Sequence, residues 1–173
     1  MLIYSVALLI LRLVVGLLFA GHGAQKLFGW FGGHGLTGYI KMIESQDFHP
    51  AVLWALISAL SEFLGGLALT LGLVTPLAAT VLIGTMLVAI FKVHWSNGLW
   101  NTKRGFEFPL VLAVVAFVVG LTGPGFYSLD YALGLALPEP ITYLAALIVM
   151  LIVVAVSLTR PSQTAQKQRH QPQ

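Results

Sequence analysis

The chain has 173 residues, of which 58% are hydrophobic and only 9% charged, against roughly 25% charged in soluble domains. It has no cysteine, which excludes disulfides, thiolate-held zinc, cysteine-ligated iron–sulfur clusters and CxxC redox chemistry. A net charge of +3 is no signal for nucleic acid here: the Lys and Arg are spread over loops and tail, as orientation in a lipid bilayer requires.

Five apolar segments follow in order, and none shows the period-two alternation of a barrel strand. The first runs from about Ile3 to Leu27. It ends near Ala20-Gly21-His22-Gly23-Ala24 but lacks a basic leader and holds Arg12 inside the apolar run, so it reads as an uncleaved helix rather than a signal peptide. The 28–50 loop carries Gly29-Trp30-Phe31-Gly32-Gly33-His34-Gly35, aromatic and glycine-rich as befits a segment lying at the interface. The second segment, Ala51 to Leu71, is 21 residues or about 31 Å, one hydrocarbon core. Leu73-Val74-Thr75 then makes a tight turn to the third segment, Pro76 to about His94, whose proline suits a first helical turn. The fourth is about Phe106 to Thr122, with Pro109 near its start, and the fifth about Ile141 to Thr159, after Pro138 and Pro140. Between these two, Thr122-Gly123-Pro124-Gly125 is a turn, and the stretch to Leu137 is too short to span. The tail is polar, basic and Gln-rich and reads as disordered.

Five consecutive crossings put Lys26, Lys41, Lys92, Lys103, Arg104, Arg160, Lys167 and Arg169 on one side, eight of the nine Lys and Arg. The positive-inside rule makes that side cytoplasmic, with the N-terminus outside. The fold class is therefore all-α integral membrane, in a cytoplasmic membrane. The first four segments occupy 1–137, the fifth transmembrane helix 138–160 and a basic cytoplasmic tail 161–173.

Two charges lie inside the spans. Arg12 is roughly 14 Å down the first helix and Glu62 roughly 15 Å down the second, each measured from the outer end. A lone charge at membrane depth costs at least ~2.5–3.5 kcal/mol, so an Arg12–Glu62 ion pair is expected. Glu62 is then either a structural staple or, held ionised by Arg12, a proton-accepting carboxylate or polar wall of a ligand pocket. Around it Ala51, Ala55, Ser58, Gly65 and Gly66 form a small-residue stripe that permits close helix approach.

A second constellation gathers near the cytoplasmic face: His22, Gln25 and Lys26 end the first helix, Lys92 and His94 the third, and Glu107 opens the fourth. With Trp30, Trp95 and Trp100 nearby they describe either an aromatic-walled polar pocket or an ordinary interfacial belt. Glu62, His22 and Glu107 are the candidate catalytic groups. His22 and His94 offer a haem two axial ligands and little else, so haem is not expected. Zinc lacks a third ligand at suitable spacing, and no metal is expected.

The motifs Leu11-Arg12-Leu13, Gly21-His22-Gly23-Ala24-Gln25-Lys26-Leu27-Phe28-Gly29, Ser61-Glu62-Phe63-Leu64-Gly65-Gly66, Phe91-Lys92-Val93-His94, Gly105-Phe106-Glu107-Phe108-Pro109 and Gly123-Pro124-Gly125-Phe126-Tyr127-Ser128-Leu129-Asp130 stand in order over about residues 4 to 133. In this the chain resembles the DoxX family of small bacterial membrane proteins. The resemblance implies an antiparallel four-helix transmembrane bundle. It also implies a link to quinone-coupled oxidoreductases such as the membrane subunit of thiosulfate:quinone oxidoreductase. The fifth helix and basic tail depart from that pattern.

Three functions follow as expectations. The first is a membrane subunit of a quinone-linked oxidoreductase, with the inner cluster holding the quinone and a soluble or membrane redox partner supplying electrons, since the chain carries no redox motif of its own. The second is a non-catalytic anchor or scaffold for a soluble redox enzyme. The third, a small-solute or proton transporter using Arg12 and Glu62, lacks an inverted repeat or broken helix to support it.

Overall fold

A computed structural model describes residues 2–135 and 140–159. The basic tail, and the 138–160 boundary at its first two residues and its last, lie outside them. Long apolar runs without an internal proline become helices, and glycines end them. Helix α1 spans Leu2–Phe28 and stops at Gly29. A single 3₁₀ turn, Trp30–Gly32, leads to α2, Gly35–Ser45. Helix α3, Ala51–Leu71, ends at Gly72 in the left-handed region (φ 65°). There the Leu73 N–H bonds the Ala68 carbonyl and the Gly72 N–H the Leu69 carbonyl, the Schellman closure that only a residue free of Cβ strain makes cheaply. Helix α4, Thr75–Val88, has Pro76 in its first turn and runs on through a π turn, Ala89–His94, to a 3₁₀ turn ending at Asn97. After the 98–106 loop come α5, Glu107–Thr122, the one-turn α6, Leu129–Ala132, and α7, Ile141–Thr159.

Among the described residues there is no strand, and four helices are long and apolar enough to cross a membrane: Leu2–Phe28, Ala51–Leu71, Thr75–Asn97 and Ile141–Leu158. Helix α5 has 16 residues, about 24 Å, some 6 Å short of a typical hydrocarbon core. The third expected segment is longer than the sequence indicated because the π turn carries it past His94. The expected interfacial segment in the 28–50 loop contains the helix α2, packed on α1 and α3.

Helices α1 and α3 run antiparallel and touch through small residues. A Cβ placed on Gly66 would meet the backbone of Gly16 and Ala20, and one on Gly23 would meet the backbone of Phe63. Close approach of this kind maximises dispersion contact where lipid offers no hydrophobic drive. The core centres on Phe19, Leu69, Leu82, Ala116 and Val119, drawn from α1, α3, α4 and α5. A second cluster of Tyr39, Ile43, Phe48, Ala55 and Ala59 seats α2 on the start of α3. Helix α7 packs on α4, with Met150 against Gly84, and its Tyr143 fills the notch at Gly120 of α5. The wide exposure of Ile10, Leu17, Leu53, Val114, Ile148 and Ile152 is what a lipid-facing surface requires.

Candidate functional site

The expected Arg12–Glu62 pair is not formed. Glu62, 2% exposed, takes its counter-charge from Lys26, with Nζ 2.5 Å from Oε1. The register of α1 on α3 explains this: Gly23 lies opposite Phe63 and Gly16 opposite Gly66 and Thr70, which sets Arg12 beside Gly72 at the far end of α3. Residues 2–11 of α1 overhang that end. Depths measured from the two helix ends therefore compared unequal starting points.

Arg12 instead organises the opposite end of the bundle. It is fully buried, and its Nη2 donates to the Tyr127 carbonyl. Its Nε and Nη1 have no hydrogen-bond partner among the described residues, and it makes no direct ion pair with Asp130. Asp130 itself accepts from the backbone N–H groups of Val74 (2.7 Å) and Thr75 (2.9 Å) and from the Thr75 hydroxyl (2.8 Å). It thus serves as a cap for α4 supplied from a distant loop. The Asp130 N–H returns to the Gly72 carbonyl at 2.9 Å. The Gly-Pro-Gly-Phe-Tyr-Ser-Leu-Asp motif is a clasp holding the α5–α6 loop to the α3–α4 turn.

At the other end, Lys26 stands between Glu62 and the ring of Tyr39, 4.8 Å from its centroid. The Tyr39 hydroxyl shares a 2.9 Å hydrogen bond with Ser58. Glu62 Oε2 has no hydrogen-bond partner. Lys26 also lines an open cleft of about 450 Å³ whose other walls are Gln25, the 32–35 loop, Gly38, Tyr39 and Met42. That is within the range of about 300–1,000 Å³ usual for small-ligand sites. Gln25 tethers the loop: its amide donates to the Phe31 carbonyl at 3.2 Å, while its oxygen meets His22 Nδ1 at 3.1 Å. A ladder of rings, Phe63 to Phe28 at 5.4 Å and Phe28 to Trp30 at 5.0 Å, climbs from α3 to the same loop.

Of the sequence-derived cluster, Gln25 and Lys26 line the cleft, while His22 is bonded to Gln25 and packs on Phe108, and Trp30 packs on Phe28. The remainder are at the same end of the bundle but engaged elsewhere. His94 Nδ1 lies 2.7 Å from the Arg104 carbonyl, and Glu107 Oε2 accepts from the Asn101 N–H at 2.9 Å, so both brace the 98–106 loop. Lys92 reaches over the Phe48 ring, Trp95 stacks on Phe106, and Trp100 is exposed. The π turn explains the separation, since it rotates Lys92, His94 and Trp95 relative to a regular continuation of α4. Tyr39 and Met42 were missed as site residues. The available signal was a helical period in Leu36, Tyr39, Ile40 and Ile43. No group of three or more His, Cys, Asp or Glu suited to a metal occurs among the described residues.

Spanning helices with a charged pair held between them define a multi-pass helical membrane protein. The sequence profile of the DoxX family matches residues 7–95, and the chain belongs to that family. It is similar to a Bacillus subtilis (strain 168) protein named "Putative oxidoreductase CatD", 27% identical over 127 residues, which are 73% of this chain and 87% of the relative. No solved structure matches it.

Proposed function

We propose that the protein is the membrane subunit of a quinone-linked oxidoreductase system and that the cleft beside Lys26 receives the quinone headgroup. The observation that carries this reading is the Lys26–Glu62 pair, a charged hydrogen-bond donor held at the wall of a ligand-sized cleft. A quinone site needs an apolar slot, a donor for a ring carbonyl and aromatic surface. Lys26 supplies the donor, Met42 and Tyr39 supply apolar walls, and the Phe63–Phe28–Trp30 ladder offers a route in from the bilayer. A bound quinone would carry two electrons and two protons; the chain's residues would bind and orient it and exclude water. Membership of DoxX and likeness to an oxidoreductase-named protein support the redox reading. With no redox motif in the chain, electrons come from a separate partner protein. We place the cleft on the cytoplasmic side, with five crossings and the N-terminus outside.

Conduction is disfavoured by the middle of the bundle. Between the Lys26–Glu62 pair and the clasp of residues 123–130 stands a layer of fully buried Phe19, Leu69 and Leu82, which offers an ion no ligand.

The test is equilibrium binding of a short-chain benzoquinone to the purified chain in nanodiscs. Saturable binding that Lys26→Met weakens at least tenfold is expected. Binding that is absent, or indifferent to Lys26 and Met42 replacements, rejects the site.

A further inference from the structure

Lys26 faces the cleft with its side chain 23% exposed, while Glu62, at 3%, is not among the lining residues and stands behind it. Besides Glu62, two titratable groups face Lys26: Tyr39, whose ring it lies over, and His34, which shares the cleft wall. On α1, His22 is bonded to Gln25. On α2, the Tyr39 hydroxyl shares a hydrogen bond with Ser58, and Lys41 and Glu44 are exposed. Helix α4 over Thr75–Val88 has no titratable side chain, and on α5 Glu107 is taken by the Asn101 N–H. Glu62 is thus the sole carboxylate with a direct ion pair to Lys26 among the described residues. An ammonium largely removed from water holds its proton less tightly when its counter-charge is taken away.

We propose that Glu62 is a positioning residue that keeps Lys26 protonated at the cleft wall, so that the site offers an ammonium N–H to an uncharged ligand oxygen. The ligand class follows from the same geometry. An anion would compete with the Glu62 carboxylate for one ammonium, whereas a neutral carbonyl takes an N–H that Glu62 leaves free. The ligand's identity rests on the quinone reading; the charge state of Lys26 does not.

Two readouts on the full chain in nanodiscs separate them. The first is acylation of Lys26 by an amine-selective reagent between pH 6 and 9, followed by peptide mass spectrometry with exposed Lys41 as internal reference. In the native protein Lys26 should react at least tenfold more slowly than Lys41. In Glu62→Gln it should react at a comparable rate near pH 8, and Glu62→Asp should restore most of the protection. The second is short-chain benzoquinone affinity, flat with pH in the native protein. In Glu62→Gln it should fall by up to about tenfold per pH unit once Lys26 begins to lose its proton. Lys26→Arg with Glu62→Gln should flatten the profile again, because a guanidinium stays charged without help; a merely structural Glu62 predicts no such rescue. Should Glu62→Gln fail to fold, Glu62→Met removes the same carboxylate and is read in its place. Lys26 reactivity equal to the native protein's in whichever of these two variants folds overturns the proposal. A reactivity switch without quinone binding upholds it and rejects the quinone alone.

Discussion

Gly23 couples the fold to the site. A methyl group there would stand 2.6 Å from Phe63 Cα, about an ångström inside ordinary carbon–carbon contact. Backbone cannot swing aside as a flexible side chain does, so Gly23→Ala must part α1 from α3 locally. Lys26 is one turn further along the same helix. A parting of about one ångström stretches its 2.5 Å contact with Glu62 to the edge of hydrogen bonding. The expected cost is about 1–3 kcal/mol from overpacking, with further loss from the weakened pair. Reversible unfolding in mixed micelles, with quinone affinity and Lys26 acylation measured on the same samples, reads both effects. Gly21→Ala is the control, because a Cβ on Gly21 meets nothing within 4 Å; it should be neutral or slightly stabilising through helix propensity. If Gly23→Ala matches Gly21→Ala in stability and leaves Lys26 protected, the close-packed register is wrong.

Lys26→Met or Glu62→Gln alone should cost about 3–5 kcal/mol and the double replacement less, because each single change strands one buried charge; the unfolding cycle would show coupling. Arg12→Met and Glu62→Gln should instead combine additively to within about 0.5 kcal/mol, and coupling between them would restore the pair expected from sequence. Asp130→Ala should cost on the order of 3 kcal/mol, chiefly by freeing the buried Thr75 N–H and hydroxyl donors, read as earlier unfolding with no change in Lys26 reactivity. Reporter fusions at the C-terminus and within 122–138 should lie on opposite faces, and the same face for both would remove one crossing.

The helices were legible because apolar runs bounded by Gly and Pro leave few alternatives, and α3 falls on the residues the sequence marked. That Glu62 needed a buried partner was legible too, since the cost of a lone charge in lipid does not depend on the fold. Which partner it takes was not. That choice depends on how far α1 slides along α3, which the glycines at 16, 23 and 66 set by backbone contact that no hydropathy pattern encodes. The π turn had no signal in Phe91-Lys92-Val93-His94, yet it directs His94 to the 98–106 loop instead of to His22. Helix α2 was hidden by the surrounding glycines, and Tyr39 with it. The clasp motif was visible as a turn, but its reach to the N-terminus of α4 is a tertiary fact.

The most direct test of the account is where a photoreactive quinone attaches. An azidoquinone cross-linked to the full chain in nanodiscs and mapped by peptide mass spectrometry should label residues 25–42, with labelling lost in Lys26→Met and competed by unmodified quinone. Labelling confined to the 94–107 loop or to the lipid face of α7, or spread uncompeted over the bundle, would contradict the cleft at Lys26 as the ligand site.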